Sequence, residues 1–266
     1  MTEFGAHTFG FVFDRDAEAT VAALAAAGFH QIELMATPPH YDPFDASPER
    51  QRRLRAAVEA AGQELLALDL ASSDVNLASL APQALDFAVS AYGELARRAG
   101  ELGARAICVN SGRRHPLLPA ANARLMLGFE AAFARIVEAA REAGVGVWLE
   151  NAPAGLLPDA EAMAGFAARH AGVGVIYDVA NAFAIGEDPA EGFARLGSLV
   201  EVVHFSDAPR GAWRHDPIGS GDIDFAAALA AAEAHAPRAA WLIEILSERP
   251  LEDAVLGREK LARSGG

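Results

Sequence analysis

At 266 residues the chain is close to the ~250 typical of an eight-fold β/α barrel and longer than the usual single sandwich. Its 22 basic and 36 acidic side chains give a formal charge of −14, which repels phosphate backbones and anionic membrane surfaces, so neither nucleic acid nor membrane is an expected partner. A hydrophobic content of 52% with 22% charged residues excludes a disordered chain.

Cys108 is the single cysteine, which excludes an intrachain disulfide and a Cys₄ zinc site. The opening Met1-Thr2-Glu3-Phe4-Gly5 lacks a basic region followed by an apolar one, and no stretch of ~18 apolar residues occurs. A reducing cytoplasm is therefore the expected location. Lys260, the single lysine, falls in a charged segment near the C-terminus that reads as an exposed helix, which argues against Schiff-base chemistry.

In chain order, short Val/Ile/Leu-rich runs predict strands at Glu3–Thr8, His30–Ala36, Glu64–Leu70, Arg105–Asn110, Val145–Glu150, Val173–Asp178, Val200–Phe205 and Ala240–Ile245. Alanine-rich segments of helical spacing fill the intervals. Gly28, Gly62, Gly103 and Gly144 stand where left-handed C-caps are wanted just before a strand. Eight repeats of about 33 residues, with no linker between them, predict an α/β chain folded as a single (β/α)₈ TIM barrel domain over residues 1–266. The competing doubly wound sheet lacks its dinucleotide fingerprint, because Gly172-Val173-Gly174 precedes a strand instead of opening a helix.

In such a barrel the C-terminal strand ends form the active face. Four successive strands end in polar groups there: Leu149-Glu150-Asn151, Tyr177-Asp178, Val203-His204 and Ile243-Glu244. An unpaired carboxylate in so apolar a run costs several kcal/mol or takes up a proton, and a shared divalent cation removes several such penalties together. The bland alternative is a set of buried ion pairs or helix caps, which accounts for any one of the four but poorly for four in sequence. Three carboxylates and an imidazole are mostly hard donors, favouring Mn²⁺ or Mg²⁺, with Co²⁺ and Zn²⁺ as alternatives.

With these strand ends, Tyr177-Asp178-Val179-Ala180-Asn181, His204-Phe205-Ser206-Asp207 with Arg210, and the loop from His215 to Phe225, the chain resembles the xylose-isomerase-like TIM barrels described as sugar phosphate isomerases/epimerases, which include D-tagatose 3-epimerase and hydroxypyruvate isomerase. The resemblance covers nearly the whole chain. It implies that Glu150, Asp178, His204 and Glu244 hold one metal ion, that Glu150 and Glu244 are also the acid/base pair, and that the protein is a small homo-oligomer. The reaction implied is isomerisation or epimerisation of a small polyhydroxylated carbonyl compound through a metal-chelated enediolate. Expulsion of a β-hydroxyl by the same groups makes a carbon–oxygen lyase, of the inosose or dehydroshikimate dehydratase kind, the runner-up.

Further candidates are less strongly marked. Arg210 and His215 would clamp substrate, against the alternatives of a solvated arginine and a helix-capping histidine. His7, Glu33, Asp69 and Asn110 end the first four strands and would line the substrate end. Gly219 and Gly221 read as turn residues, with Asp222 or Asp224 capping the helix that follows. Arg113-Arg114-His115 could bind phosphate but reads more simply as a solvated loop. Many isomerase and epimerase relatives carry histidine three residues after the strand-six aspartate, whereas Asn181 here serves only for hydrogen bonding. Ala152 replaces a histidine of the dehydroshikimate dehydratase relatives. An apurinic endonuclease of this barrel would need further metal-binding histidines, and the matching positions here are Asn110, Asn181 and Trp213. A non-catalytic barrel that keeps a metal for stability is the remaining alternative.

Overall fold

The protein is described from a computed structural model covering residues 3–71, 74–117 and 120–265. Strands β1 (Phe4–His7), β2 (Gln31–Met35), β3 (Glu64–Asp69), β4 (Ala106–Asn110), β5 (Gly146–Glu150), β6 (Val173–Asp178), β7 (Val200–Phe205) and β8 (Ala240–Ile243) pair in parallel in that order, and β1 closes onto β8. This is the (β/α)₈ barrel expected from the sequence, with strand limits within two residues of those anticipated. The helical shell comprises α1 (Ala17–Ala26), α2 (Pro48–Ala61), α3 (Pro82–Leu102), α4 (Asn122–Ala143), α5 (Ala160–Ala167), α6 (Val179–Ala184), α7 (Pro189–Leu196), α8 (Phe225–His235) and α9 (Pro250–Ser264). No described helix is long and apolar enough to cross a membrane.

The helix ends follow local chemistry. Gly62, Gly103 and Gly144 take left-handed φ values of 62°, 80° and 73°, letting α2, α3 and α4 turn straight into the next strand. Asp16, Ser47, Asp159 and Asp224 accept the N–H three residues on and so cap α1, α2, α5 and α8. One interval departs from the single-helix expectation. Immediately after β6 the carboxylate of Asp178 caps the short α6, with Oδ1 accepting from Asn181 N–H at 2.6 Å, before α7 begins.

Among the described residues two separate apolar clusters hold the fold. The larger packs outward-facing strand residues such as Val109, Leu149, Val175 and Val203 against the helices. The smaller fills the barrel: Leu66, Ala67, Ala106, Cys108, Trp148, Ile176, Val202 and Leu242. Trp148 dominates this interior. A Cβ at Gly174 would lie 2.5 Å from Trp148 Cδ1, so glycine at that position makes room for the indole. Because side chains alternate across a strand, the residues two beyond 108, 148, 176, 202 and 242 share the inward face one layer higher. Those residues are Asn110, Glu150, Asp178, His204 and Glu244. The β6–β7 register slips by one residue between Val175 and Ile176, so that Asp178 pairs with His204 instead of Val203.

Candidate metal centre

One donor atom from each of Glu150, Asp178, His204 and Glu244 lies within 4.8 Å of every other, and all four residues are buried. His204 turns Nδ1 toward the carboxylates, 3.3 Å from Glu150 Oε1, 3.2 Å from Glu244 Oε2 and 3.9 Å from Asp178 Oδ2. Its other nitrogen, Nε2, lies 3.0 Å from Glu33 Oε2. Donation of Nε2–H to Glu33 leaves the Nδ1 lone pair facing the three acids, the arrangement in which a carboxylate orients a metal-binding imidazole.

The donor set fits a hard divalent cation. Asp178 Oδ2 and Glu244 Oε2 are sealed from water and receive no hydrogen bond from the described residues, an arrangement that is costly without a cation or proton between them. Asp178 is held for this task from its other side. Asn151 donates Nδ2–H to Asp178 O at 2.9 Å and accepts Asp178 N–H at 2.7 Å, while Asn181 donates its amide to Asn151 O.

The proton affinities of these side chains reflect the same crowding. Burial pushes the Asp178 carboxyl up to about 7, with His215 pulling against it and Glu244 adding to it. Burial also disfavours charge on Glu244, but His204, His7 and His215 outweigh it and hold that carboxyl well below its ordinary value. For His204, burial opposes the charged form, yet Glu244 and Glu33 hold its proton well above the usual imidazole range. His215 is also raised, against its own burial, by Asp178, Glu244 and Glu150.

Above the cluster opens a cavity of about 440 Å³, within the range of small-ligand sites. Glu150 and Glu244 line it; Asp178 and His204 lie behind them. Asn110, Asn181 and His215 also line it. Asn110 donates Nδ2–H to Glu150 Oε2 at 3.0 Å, and Asn181 Oδ1 accepts from Trp213 Nε1–H at 2.6 Å. The His215 ring is no helix cap. Its Nδ1 lies 3.0 Å from Ser206 Oγ and 3.6 Å from both Asp178 Oδ2 and Glu244 Oε2.

Three candidates take other places. His7 and Glu33 are buried beside the cluster and do not line the cavity: His7 Nδ1 accepts Phe9 N–H, and Glu33 faces His204. Arg210 is exposed and lies outside the cavity, its guanidinium 5.0 Å from the Phe183 ring centroid. The loop path explains this. Asp207 gathers the N–H groups of Ala208, Gly219, Gly221 and Ile223, and Asp222 takes that of Arg210, which folds the segment so that His215 points inward and Arg210 outward.

Asp69, expected at the substrate end, borders the cavity; so do Arg113 and Trp213, which carried other readings in the sequence, and Phe9 and Phe13, which sequence reasoning did not single out. Apolar residues in the loop after β1 were the available signal for the two phenylalanines. Arg113 lies 5.8 Å from the Trp213 ring centroid, joining the loops that follow β4 and β7.

The sequence profile of the xylose isomerase-like TIM barrel family matches residues 21–264. The chain belongs to this family. Among curated proteins no sequence match reaches significance. Solved structures with the same fold include a D-tagatose 3-epimerase-like protein, with 23% identity, 99% of this chain and 97% of that one covered, and a TM-score of 0.85. A D-psicose 3-epimerase from Clostridium cellulolyticum H10 has 18% identity, 99% of each chain covered and a TM-score of 0.83. A 3-keto-D-glucoside 4-epimerase from E. coli has 15% identity, 99% of this chain and 100% of that one covered, and a TM-score of 0.82.

Proposed function

We propose that the protein is a divalent-cation-dependent sugar isomerase or epimerase, acting on a small polyhydroxylated carbonyl compound, in which Glu150, Asp178, His204 and Glu244 hold the cation and Glu150 and Glu244 move the proton. The supporting observation is the division among the four: Glu150 and Glu244 border the cavity and the other two stand behind. The sugar epimerases among the structures of like fold support the same substrate class. When bound, the cation, Mn²⁺ or Mg²⁺ by donor hardness with Co²⁺ and Zn²⁺ as alternatives, supplies a Lewis acid that offsets negative charge developing on neighbouring substrate oxygens.

The two glutamates carry the proton. One carboxylate takes it from the carbon beside the carbonyl, the C–H pair becomes the C=C bond of an enediolate, and the carbonyl pair moves to oxygen. The other, entering in its protonated form, returns a proton to the opposite face. Each transfer contributes ~10² to 10⁴-fold. Their strands, β5 and β8, flank β6 and β7, so the two carboxylates reach the cavity from different directions. His215, steadied by Ser206, is placed to donate a hydrogen bond to a substrate oxygen. Asn110 and Asn181 present amides beside it, while His7 and Glu33 act on the imidazole of His204.

The test is incubation of Mg²⁺-loaded protein with a panel of ketoses, ketose phosphates and keto-acids in D₂O. Deuterium on the carbon next to the carbonyl, lost in Glu150→Gln and Glu244→Gln, is the expected result. Its absence across the panel, or a dehydrated product in its place, would overturn the proposal.

A further inference from the structure

The barrel interior holds a second donor set, of which two members, Asp69 and Cys108, are not used by the proton-transfer chemistry. One donor atom from each of Asp69, Cys108 and Glu150 lies within 4.8 Å of the others. Cys108 is completely buried, Asp69 is 6% exposed and Glu150 8%. Asp69 Oδ1 is shut off from water and receives no hydrogen bond from the described residues. Burial of an unpartnered carboxylate oxygen costs free energy that a proton or a cation removes.

Glu150 connects the two sets. Its Oε1 faces His204 Nδ1 at 3.3 Å, whereas its Oε2 lies 3.9 Å from Cys108 Sγ and accepts from Asn110 Nδ2. A carboxylate whose two oxygens belong to different donor sets has the disposition of a bridge between ions. Cys108 belongs to the barrel-interior cluster with Ala106, Trp148 and Leu66, and it is the one member of that cluster whose side chain can serve as a thiolate ligand.

We propose that Asp69, Cys108 and Glu150 form a second cation site that prefers a thiophilic divalent ion such as Zn²⁺, Cd²⁺ or Co²⁺ over Mg²⁺ or Mn²⁺. One sulfur and two oxygen donors set this preference, because thiolate selects softer ions while carboxylates alone suit hard ones. On binding, the S–H bond gives its proton to solvent and the sulfur keeps the electron pair; any proton on Asp69 leaves likewise, and nothing is oxidised or reduced. Burial, with Asp69 and Glu150 beside it, holds the thiol well above its ordinary range. Asp69 and Glu150 also border the cavity, which leaves a further coordination position for water or a substrate oxygen.

Filling this site engages Glu150 Oε2. A consequence, resting on the role proposed for Glu150 above, is that thiophilic ions in excess inhibit the enzyme while excess Mg²⁺ does not.

The test is titration of the chelator-stripped full chain with Co²⁺, followed by absorption and by metal content after gel filtration. Two equivalents are expected, one of them accompanied by a near-ultraviolet thiolate-to-cobalt charge-transfer band. Cys108→Ser should keep one equivalent, lose the band and resist Zn²⁺ inhibition at least tenfold better. Asp69→Asn, nearly unchanged in shape, should weaken the second equivalent tenfold or more and serves where Cys108→Ser folds poorly. One equivalent without the band in the wild-type chain would overturn this second site and leave the four-ligand centre standing. Failure to bind any cobalt would overturn both.

Discussion

Glu33 offers a test of the centre that touches none of its four ligands. Its carboxylate is fully buried and lies 3.0 Å from His204 Nε2 and 3.7 Å from His7 Nε2. Glu33→Gln keeps the shape and one acceptor but removes the charge that fixes the tautomer and raises the basicity of Nδ1. Loss of such an outer partner weakens metal affinity by about 10- to 100-fold, or about 1.4 to 2.7 kcal/mol. The substitution also lowers the proton affinity of His204, because Glu33 is one of the carboxylates that overcome burial there. Calorimetric titration of Mn²⁺ into the chelator-stripped protein at mildly alkaline pH keeps proton competition small and isolates the effect. Thermal melting in chelator checks that the variant is folded. A dissociation constant within twofold of wild type would refute the role given to Glu33.

Other outcomes follow from the same geometry. The cation must displace a proton from Asp178, whose carboxyl is pushed up to about 7, and from the raised imidazole of His204, so affinity should rise with pH through neutrality with net proton release. Titrations in two buffers of different ionisation enthalpy check this, and equal apparent heats would contradict it. In the cation-free protein the raised Asp178 contributes stability that is complete below its unfolded value near 3.8 and is lost as pH rises through about 7; the increase in melting temperature on adding Mn²⁺ should therefore grow over that interval. Gly174→Ala places a Cβ 2.5 Å from Trp148 Cδ1 inside the barrel and should cost about 1 to 3 kcal/mol, lowering the melting temperature by roughly 2 to 12 °C. Partial recovery in a Gly174→Ala/Trp148→Leu double variant is expected, and an unchanged melting temperature in the single variant would exclude the steric account.

The strands, their order and the polar strand ends were legible because a parallel barrel repeats one pattern: an apolar run, an inward polar residue at its C-terminal end, then a helix closed by glycine. Glu150, Asp178, His204 and Glu244 stand out in that pattern as charged residues in apolar company. Their level in the barrel was not legible. It depends on the one-residue slip between Val175 and Ile176, a property of strand pairing that no residue identity announces. A comparable slip, between Ile32 and Glu33, occurs where β2 meets β3. The loop from Ser206 to Ile223 was opaque for a similar reason, since its course follows from four N–H groups converging on the Asp207 carboxylate, and that convergence decides that His215 faces the cavity and Arg210 does not. The pairing of Asp69 and Cys108 with Glu150 spans β3, β4 and β5 and arises from barrel closure alone.

The most direct measurement is diffraction from crystals soaked in Mn²⁺, recorded at the manganese absorption edge. A single strong anomalous peak bounded by Glu150, Asp178, His204 Nδ1 and Glu244, at the floor of the cavity, is the predicted result. Manganese bound elsewhere, or those four side chains closed on one another with no peak at saturating Mn²⁺, would contradict the metal centre on which the proposed chemistry depends.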